Sequence, residues 1–177
     1  MNRDLKRPAI FLDRDGVLVE EKGYVTSTDA IKIFPYTAHC IQKLRELGYY
    51  TICISNQSAV GRGMMQMADL QIINQFLMEK IHIDAIYCCP HYWKDNIPIC
   101  ECRKPQKGLF VQAMQDFPID LQNSYMVGDR ASDILAGRNM GVKTILLESG
   151  YGSQRLEEHV TPDYIMQDLR DVVRMLD

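Results

Sequence analysis

Two aspartates stand two residues apart near the start of the sequence, Asp13 and Asp15, with Gly16 directly after them. The apolar run at 9–12 is typical of a buried strand, so the pair lies where the chain turns at a strand end. Neighbouring carboxylates repel each other unless they share a cation, which points to a metal site, an acid/base couple or both. A solvated turn rich in aspartate is the alternative, because short motifs of this kind often match by chance.

A second predicted strand end carries carboxylates at Asp129 and Asp133. Asp129 follows the apolar residues 125–127, and Asp133 begins a predicted helix, where an aspartate is commonly only a cap. Carboxylates from two strand ends form a hard-oxygen site that suits Mg²⁺ together with waters and a substrate phosphate. We therefore expect a magnesium site, with Asp133 supporting or capping rather than binding the ion directly.

Two further segments supply groups that can hold a phosphoryl group. Ser55 offers a hydroxyl at the end of a third predicted strand, and Arg103 and Lys104 place two cations before a helix. A hydroxyl, a lysine and a metal together can stabilise the charge of a phosphoryl group in transfer. The sequence contains neither of the glycine motifs of nucleotide-binding loops, so nothing indicates nucleotide-driven chemistry.

Four of the six cysteines lie between positions 88 and 102. Cys89 and His91 form one pair, Cys100 and Cys102 form another, and eight residues separate the pairs. Such pairs can close a Cys₃His tetrahedron around Zn²⁺, and a site with four protein ligands is structural. Four incidental side chains are the alternative. Because Arg103 follows Cys102 directly, a zinc ion here would fix the position of the two cations.

The elements that must position these residues alternate along the chain. Apolar runs predict strands at 9–12, 49–54, 85–88, 125–127, 144–147 and 164–165. Helical spacing predicts helices at 38–47, 70–81, 109–117, 134–140 and 168–176, with a polar turn at 55–58 and a functional loop at 89–108. Strands that alternate with helices favour a parallel sheet covered on both faces, and ligands bind such sheets beyond the carboxyl ends of the strands.

Length and charge exclude several classes of protein. The chain has 177 residues, enough to bury a sizeable core as one domain without disulfides. A net charge of −3 without a basic block argues against nucleic acid as the main partner. No apolar run approaches the ~20 residues that span a membrane, and the N-terminus has no signal-peptide core. We therefore expect a cytoplasmic protein that has no membrane partner.

Together, the charged motifs resemble those of the haloacid dehalogenase (HAD) superfamily of phosphohydrolases. The match occurs in order and spans most of the chain, at residues 12–17, 55–57, 103–105 and 128–133. The resemblance implies a three-layer, Rossmann-like α/β fold, with a parallel sheet, helices on both faces and no separate cap domain. The chain would then be a single domain, 1–177, with its zinc-binding loop at 89–102.

The resemblance also implies a role for each motif. Asp13 would be the nucleophile that forms an aspartyl-phosphate, and Asp15 the general acid and base. Mg²⁺ would be held by the Asp13 carboxylate, the Asp15 backbone carbonyl and Asp129. Ser55 and Lys104 would hold the transferring phosphoryl oxygens. The implied substrate-binding residues are Glu21, Lys22, Gly23, Tyr24, Asn56, Gln57, Ser58, Arg103 and Arg130.

Within the superfamily, residues 23–25, 55–63 and 100–105 resemble a subfamily that contains heptose bisphosphate phosphatases and histidinol-phosphatases. This resemblance implies a monomeric phosphatase that acts on a small sugar phosphate, namely the 7-phosphate of D-glycero-D-manno-heptose 1,7-bisphosphate, on a route to cell-surface glycans. Histidinol phosphate is the alternative substrate. A non-catalytic zinc module that binds another macromolecule is the alternative of a different class.

Overall fold

The computed structural model describes residues 6–94, 97, 100–151 and 160–177. Its strands are β1 (Ala9–Leu12), β2 (Tyr50–Asn56), β3 (Ala85–Cys89), β4 (Tyr125–Gly128), β5 (Lys143–Leu147) and β6 (Tyr164–Met166). Its α-helices are α1 (Thr37–Glu46), α2 (Met67–Ile81), α3 (Gly108–Asp116), α4 (Ala131–Met140) and α5 (Leu169–Leu176). Positions 95, 96, 98 and 99 of the predicted zinc loop lie outside the described residues.

The strands form one six-stranded sheet in the order β3-β2-β1-β4-β5-β6, and every pairing is parallel. β1 lies between β2 and β4, so that Leu12 pairs with both Cys53 and Val127. From β1 the chain builds the sheet first towards β3 and then, on the other side, towards β6. The carboxyl ends of β1, β2 and β4 therefore meet at the point where the strand order reverses, which is where such sheets bind ligands.

Both faces of β1 are buried, as a central strand of a parallel sheet requires. Ile10 and Leu12 face one core, which is built with α1, α2 and α5. Ala9 and Phe11 face the second core, which is built with α3 and α4. Successive side chains of β1 thus point to opposite faces of the sheet, and a layer of helices covers each face. The predicted three-layer α/β fold is confirmed.

Two predicted boundaries at the functional edge are wrong. The predicted turn at 55–58 begins too early, because Ser55 and Asn56 still pair with Cys88 and Cys89. For the same reason Cys89 is the last residue of β3 and not the first residue of a loop. Ser55 and Asn56 continue β2 because their backbone groups complete the hydrogen-bonded ladder. The apolar run from which the strand is predicted ends at Ile54.

The helix ends follow local rules that the sequence carries. Gly141 ends α4 with a φ of 74°, a left-handed conformation that favours glycine. Asp133 caps the start of the same helix, which begins at Ala131, three residues before its predicted start. Within the described ranges the longest helix, α2, has 15 residues, so no helix there is long and apolar enough to cross a membrane.

Candidate active site

Three strand ends bring the predicted catalytic residues together. Asp13 follows β1, Ser55 lies near the end of β2, and Asp129 follows β4. The Asp13 backbone N–H donates to the Val127 carbonyl at 2.9 Å, which continues the β1–β4 ladder into the site. All three side chains are buried. The expected convergence of these positions therefore occurs at the centre of the sheet edge.

Lys104 joins two of the carboxylates in a buried cluster. Its Nζ lies 2.9 Å from Asp13 Oδ1 and 2.6 Å from Asp133 Oδ1. Burial opposes the charge of Lys104, but Asp13 and Asp133 outweigh burial and hold its pKa above the ordinary value. The lysine therefore remains a cation beside Asp13, where it can balance charge on a phosphoryl group.

Asp129 is a buried carboxylate whose negative charge a bound cation would stabilise. Its Oδ2 accepts a hydrogen bond from the Tyr151 backbone at 2.8 Å, while its buried Oδ1 has no hydrogen-bond partner among the described residues. Burial, followed by the charges of Asp13 and Asp133, raises the pKa of Asp129 to about 8. An uncompensated buried carboxylate is costly, and a bound metal ion would remove that cost.

The space beside Asp129 fits a metal ion. Carboxylate oxygens of Asp13, Asp129 and Asp133 lie within 4.8 Å of one another. Gly16 and Gly150 lie against Asp129, and a Cβ at either position would collide with its Oδ2. Hard oxygen ligands in this number suit Mg²⁺, so the residues present fit the predicted ion.

The structure explains why Asp133 supports the site. Its Oδ2 accepts hydrogen bonds from the backbone N–H groups of Asp129 and Arg130, at 3.2 and 3.0 Å. Its Oδ1 faces Lys104. Asp133 therefore caps α4, fixes the backbone of Asp129 and orients the lysine.

Asp15 is held from two sides. Arg14, which is fully buried, donates from Nε and Nη2 to the Asp15 carboxylate at 3.0–3.2 Å. Gln57 Nε2 donates to Asp15 Oδ2 at 2.7 Å and to Ser55 Oγ at 3.0 Å. Burial raises the pKa of Asp15; Arg14 lowers it and Asp13 raises it further, which leaves it above the ordinary value.

Asn56 connects β2 to the segment that carries the lysine. Its amide nitrogen donates to the Lys104 carbonyl at 3.1 Å, and its amide oxygen accepts from the Lys104 N–H at 2.9 Å. Two reciprocal hydrogen bonds fix both the position and the direction of this backbone. Asn56 thus acts on the site through Lys104 in addition to facing the cavity.

A cavity of about 770 Å³ opens above these groups. The predicted residues that line it are Asp13, Asp15, Glu21, Gly23, Tyr24, Asn56, Gln57, Ser58, Arg103, Lys104, Arg130 and Asp133. Ser55 is buried and, like Lys22, is not among the lining residues; the Lys22 ammonium lies 3.9 Å from Glu20. The lining residues for which sequence reasoning assigned no role are Arg62, Trp93, Pro105, Ser132, Leu135 and Tyr151.

Aromatic rings hold two of the cations at the rim. The Arg62 guanidinium lies 3.6 Å from the ring centroid of Tyr92 and 5.4 Å from that of Tyr24. Arg130 lies 4.1 Å from the ring centroid of Tyr151 and pairs with Glu21 at 3.1 Å. Stacking on a ring restrains a long side chain without neutralising it. In the sequence Arg62 lies within residues 55–63, which carry the resemblance to the phosphatase subfamily, but the sequence analysis assigns it no role of its own.

The cysteine–histidine cluster lies next in sequence to Trp93 and Arg103, which line the same cavity. Cys89 Sγ lies 3.7 Å from Cys100 Sγ, 2.8 Å from Cys102 Sγ and 3.6 Å from His91 Nδ1, while His91 Nδ1 lies 3.2 Å from Cys102 Sγ. The edges of a zinc tetrahedron with three sulfurs and one nitrogen are about 3.6–3.8 Å. These four distances are no longer than such edges, and all four ligand atoms lie within 4.8 Å of one another.

Hydrogen bonding prepares one of these sulfurs for a metal. Trp93 Nε1 donates to Cys100 Sγ at 3.2 Å. Burial opposes ionisation of this thiol, but the Trp93 hydrogen bond and the Arg103 backbone outweigh it and lower the pKa of Cys100 to about 6. A thiolate is the form that binds zinc, so the donor set matches the predicted ion.

Known proteins are similar to this chain in both sequence and fold. Residues 101–172 match the HAD-hydrolase-like family. D-glycero-D-manno-heptose-1,7-bisphosphate 7-phosphatase from Thermosynechococcus vestitus is 34% identical, over 97% of this chain and 96% of that protein. D-glycero-beta-D-manno-heptose-1,7-bisphosphate 7-phosphatase from Haemophilus ducreyi is also 34% identical, over 94% of this chain and 97% of that protein.

A solved structure extends the likeness to three dimensions. D,D-heptose 1,7-bisphosphate phosphatase from B. bronchiseptica, in complex with magnesium and phosphate, is 29% identical with a TM-score of 0.83. The likeness covers 96% of this chain and 97% of that chain. The sequence, the parallel sheet and the carboxylates at its edge agree with one another: the chain belongs to the phosphatases of the HAD-like hydrolase family and is homologous to D-glycero-D-manno-heptose 1,7-bisphosphate 7-phosphatases.

Proposed function

We propose that the protein is a Mg²⁺-dependent phosphatase that removes the 7-phosphate of D-glycero-D-manno-heptose 1,7-bisphosphate. The observation that carries the proposal is the buried charge cluster at the sheet edge. There Lys104 contacts Asp13, and one carboxylate oxygen from each of Asp13, Asp129 and Asp133 lies within 4.8 Å of the other two. Relatives that carry this activity cover nearly the whole chain, which supports the choice of substrate.

In the first half of the proposed reaction the Asp13 carboxylate attacks phosphorus. The bond between phosphorus and the sugar oxygen breaks as the Asp13–phosphorus bond forms, and Asp15 gives its proton to the leaving oxygen. The raised pKa of Asp15 favours the protonated form that this step needs. Ser55 Oγ accepts from Gln57, so its own O–H is free to donate to a phosphoryl oxygen.

In the second half a water molecule attacks the phosphorus of the aspartyl-phosphate. Asp15 takes the proton of that water, the bond to Asp13 breaks, and inorganic phosphate leaves with both aspartates restored. Lys104 stays charged beside the phosphoryl group throughout. When bound by the Asp13 carboxylate, the Asp15 carbonyl and Asp129, Mg²⁺ supplies positive charge that lowers the cost of the transition state.

The rim of the cavity favours a substrate with a second phosphate. Arg62 contacts aromatic rings, and Arg103 contacts the His91 carbonyl at 3.3 Å and the ring of Trp93. Within the described part of the chain neither guanidinium pairs with a carboxylate. Guanidinium groups bind phosphate strongly, whereas the amine of histidinol phosphate would face like charge there.

We further propose that the chain works as a single cytoplasmic domain and as a monomer, without a separate cap. The 20–25 segment and the zinc loop then shape the pocket themselves. Contacts of Tyr24 and Tyr92 with the Arg62 side chain, which lies between them, support this view. Zn²⁺ held by Cys89, His91, Cys100 and Cys102 would keep the loop in place, as four protein ligands do in structural sites.

The test is phosphate release from both anomers of the heptose bisphosphate and from histidinol phosphate, with and without Mg²⁺. We expect Mg²⁺-dependent turnover that is fastest on a heptose bisphosphate. Faster turnover of histidinol phosphate would replace the proposed substrate. If neither substrate released phosphate with Mg²⁺ present, the zinc interaction module would be the better account.

A further inference from the structure

The amide nitrogen of Gln57 donates to two groups of the protein. Gln57 is 5% exposed, and its Nε2 donates to Asp15 Oδ2 at 2.7 Å and to Ser55 Oγ at 3.0 Å. A carboxamide nitrogen carries two hydrogens, and these two bonds use both of them. Gln57 therefore has no amide hydrogen left for a substrate, and its amide oxygen is the atom that remains for the substrate-binding role that the resemblance implies.

The second partner of Asp15 is the guanidinium of Arg14, which is buried. The Arg14 side chain is 1% exposed and binds both carboxylate oxygens, whereas Asp15 lines the cavity. Without Gln57, the buried guanidinium would be the one remaining side-chain donor to Asp15 among the described residues. Its charge would then draw the carboxyl towards the core and away from the cavity.

The backbone of Gln57 is fixed as firmly as its side chain. Its N–H donates to the Cys89 carbonyl at 2.8 Å, directly beyond the pairing of Asn56 with Cys89 at the end of β2. Four residues later, the Gly61 N–H donates to the Pro90 carbonyl at 2.8 Å. The backbone of residues 57–61 is thus hydrogen-bonded to the end of β3 and to Pro90.

We propose that Gln57 is a positioning residue that aims the Asp15 carboxyl at the leaving-group oxygen and ties it to the Ser55 hydroxyl. The proposal rests on the proposed function, because it takes Asp15 to be the general acid. A correctly placed general acid contributes about 10²–10⁴-fold to such a step. Displacement of the carboxyl by about 1 Å can remove about 100-fold of this gain.

The experiment compares two leaving groups in each variant. In the heptose bisphosphate the leaving group is a sugar alkoxide, which needs a proton. In p-nitrophenyl phosphate the leaving group is the weakly basic p-nitrophenolate, which needs almost none. The value of kcat/KM reports steps up to the first phosphoryl transfer, so the ratio of the two values isolates general acid catalysis. Any effect through Ser55 falls on both substrates and cancels in the ratio.

We expect Gln57→Leu to lower the ratio of sugar to aryl phosphate by about 10–100-fold, with most of the aryl phosphatase activity kept. Gln57→Met, which keeps the side-chain length but has no hydrogen-bond donor, should lower it in the same direction and covers the case in which Gln57→Leu does not fold. The matched control is Gln75→Leu, since Gln75 makes the same 2.7 Å amide-to-carboxylate bond to Glu79 on the exposed face of α2. Its ratio should equal that of the wild type.

Asp15→Asn separates this inference from the proposed function. If Asp15→Asn lowers the ratio and folded Gln57 variants do not, the positioning role of Gln57 is wrong while Asp15 remains the general acid. If Asp15→Asn leaves the ratio unchanged, the general acid assignment fails, and the inference fails with it. A fall in the ratio for both residues supports both.

Discussion

Lys104 Nζ lies 2.6 Å from Asp133 Oδ1, and each of these side chains is 1% exposed. Asp133 also accepts the backbone N–H groups of Asp129 and Arg130, so one carboxylate holds both the lysine and the start of α4. We expect Asp133→Ala to lower the free energy of unfolding by about 3 kcal/mol, since it breaks a buried ion pair and removes a helix cap.

Thermal and denaturant unfolding measure this loss. Glu79→Ala is the control: Glu79 accepts a hydrogen bond from Gln75 on an exposed helix face, and its loss should cost no more than about 0.5 kcal/mol. Equal stabilities of the two variants would show that the Lys104–Asp133 pair contributes nothing to folding.

Mg²⁺ binding should release a proton, because Asp129 must ionise to bind the ion. With its pKa at about 8 in the metal-free protein, Asp129 is mainly protonated at pH 6.5 and mainly ionised at pH 9. We expect release of about one proton per Mg²⁺ at pH 6.5, almost none at pH 9, and an affinity that rises with pH up to about 8. Calorimetry in buffers of different ionisation enthalpy measures the proton count. A count of zero at pH 6.5 would contradict this description of Asp129.

The stability of the metal-free protein should also depend on pH through Asp129. The folded-state pKa of Asp129 is raised above its unfolded value, so the folded state binds the extra proton. Stability of the metal-free protein should therefore fall as pH rises from about 4 towards 8, and Asp129→Asn should flatten this trend. Unfolding curves across that pH range provide the measurement.

The zinc cluster should hold about one Zn²⁺ per chain, as determined by elemental analysis. Cys102→Ser should lose the ion and lower the activity by up to about 100-fold, because Arg103 and Lys104 follow Cys102 directly and depend on its position. Cys40→Ser, at a buried cysteine of α1 outside the cluster, should keep both. A zinc-free Cys102→Ser protein with full activity would show that the loop does not position the cations.

Arg62 should act on the second phosphate of the substrate. Arg62→Ala removes a charge-assisted contact, which is worth about a tenfold rise in KM for the heptose bisphosphate. p-Nitrophenyl phosphate has no second phosphate, so its kinetics should change little. Arg174→Ala, which affects an exposed arginine paired with Asp171 on α5, is the matched control. Equal losses on both substrates would rule out a role in binding the distal phosphate.

The predicted strand ends indicated correctly which carboxylates lie close together. Asp13 and Asp129 follow neighbouring parallel strands, and periodicity identified both strands to within a residue at each end. The fold class could be predicted for the same reason, because buried strands and amphipathic helices produce strong local hydrophobic patterns in the sequence. The sequence predicts a turn at Ser55, because hydropathy cannot show that a polar residue still pairs in a sheet.

Contacts between loops could not be predicted in this way. The stacking of Arg62 on Tyr92 and the Gln57 bond to Asp15 join segments that are distant in the sequence, and no periodic pattern records them. One signal was present at Gly61, where a Cβ would lie 2.6 Å from the Tyr92 backbone nitrogen and 2.8 Å from the Pro90 carbonyl oxygen. The absence of a side chain at that position is what lets the zinc loop pack against residues 57–63.

The Asp13→Asn variant tests the aspartyl-phosphate mechanism most directly, through the rate of phosphate release from the heptose bisphosphate with Mg²⁺ present. An asparagine amide cannot attack phosphorus, while Lys104 and Asp133 remain to keep the site folded. We expect turnover to fall by more than about 10³-fold, with a thermal transition close to that of the wild type. Turnover within about tenfold of the wild type would contradict nucleophilic catalysis by Asp13.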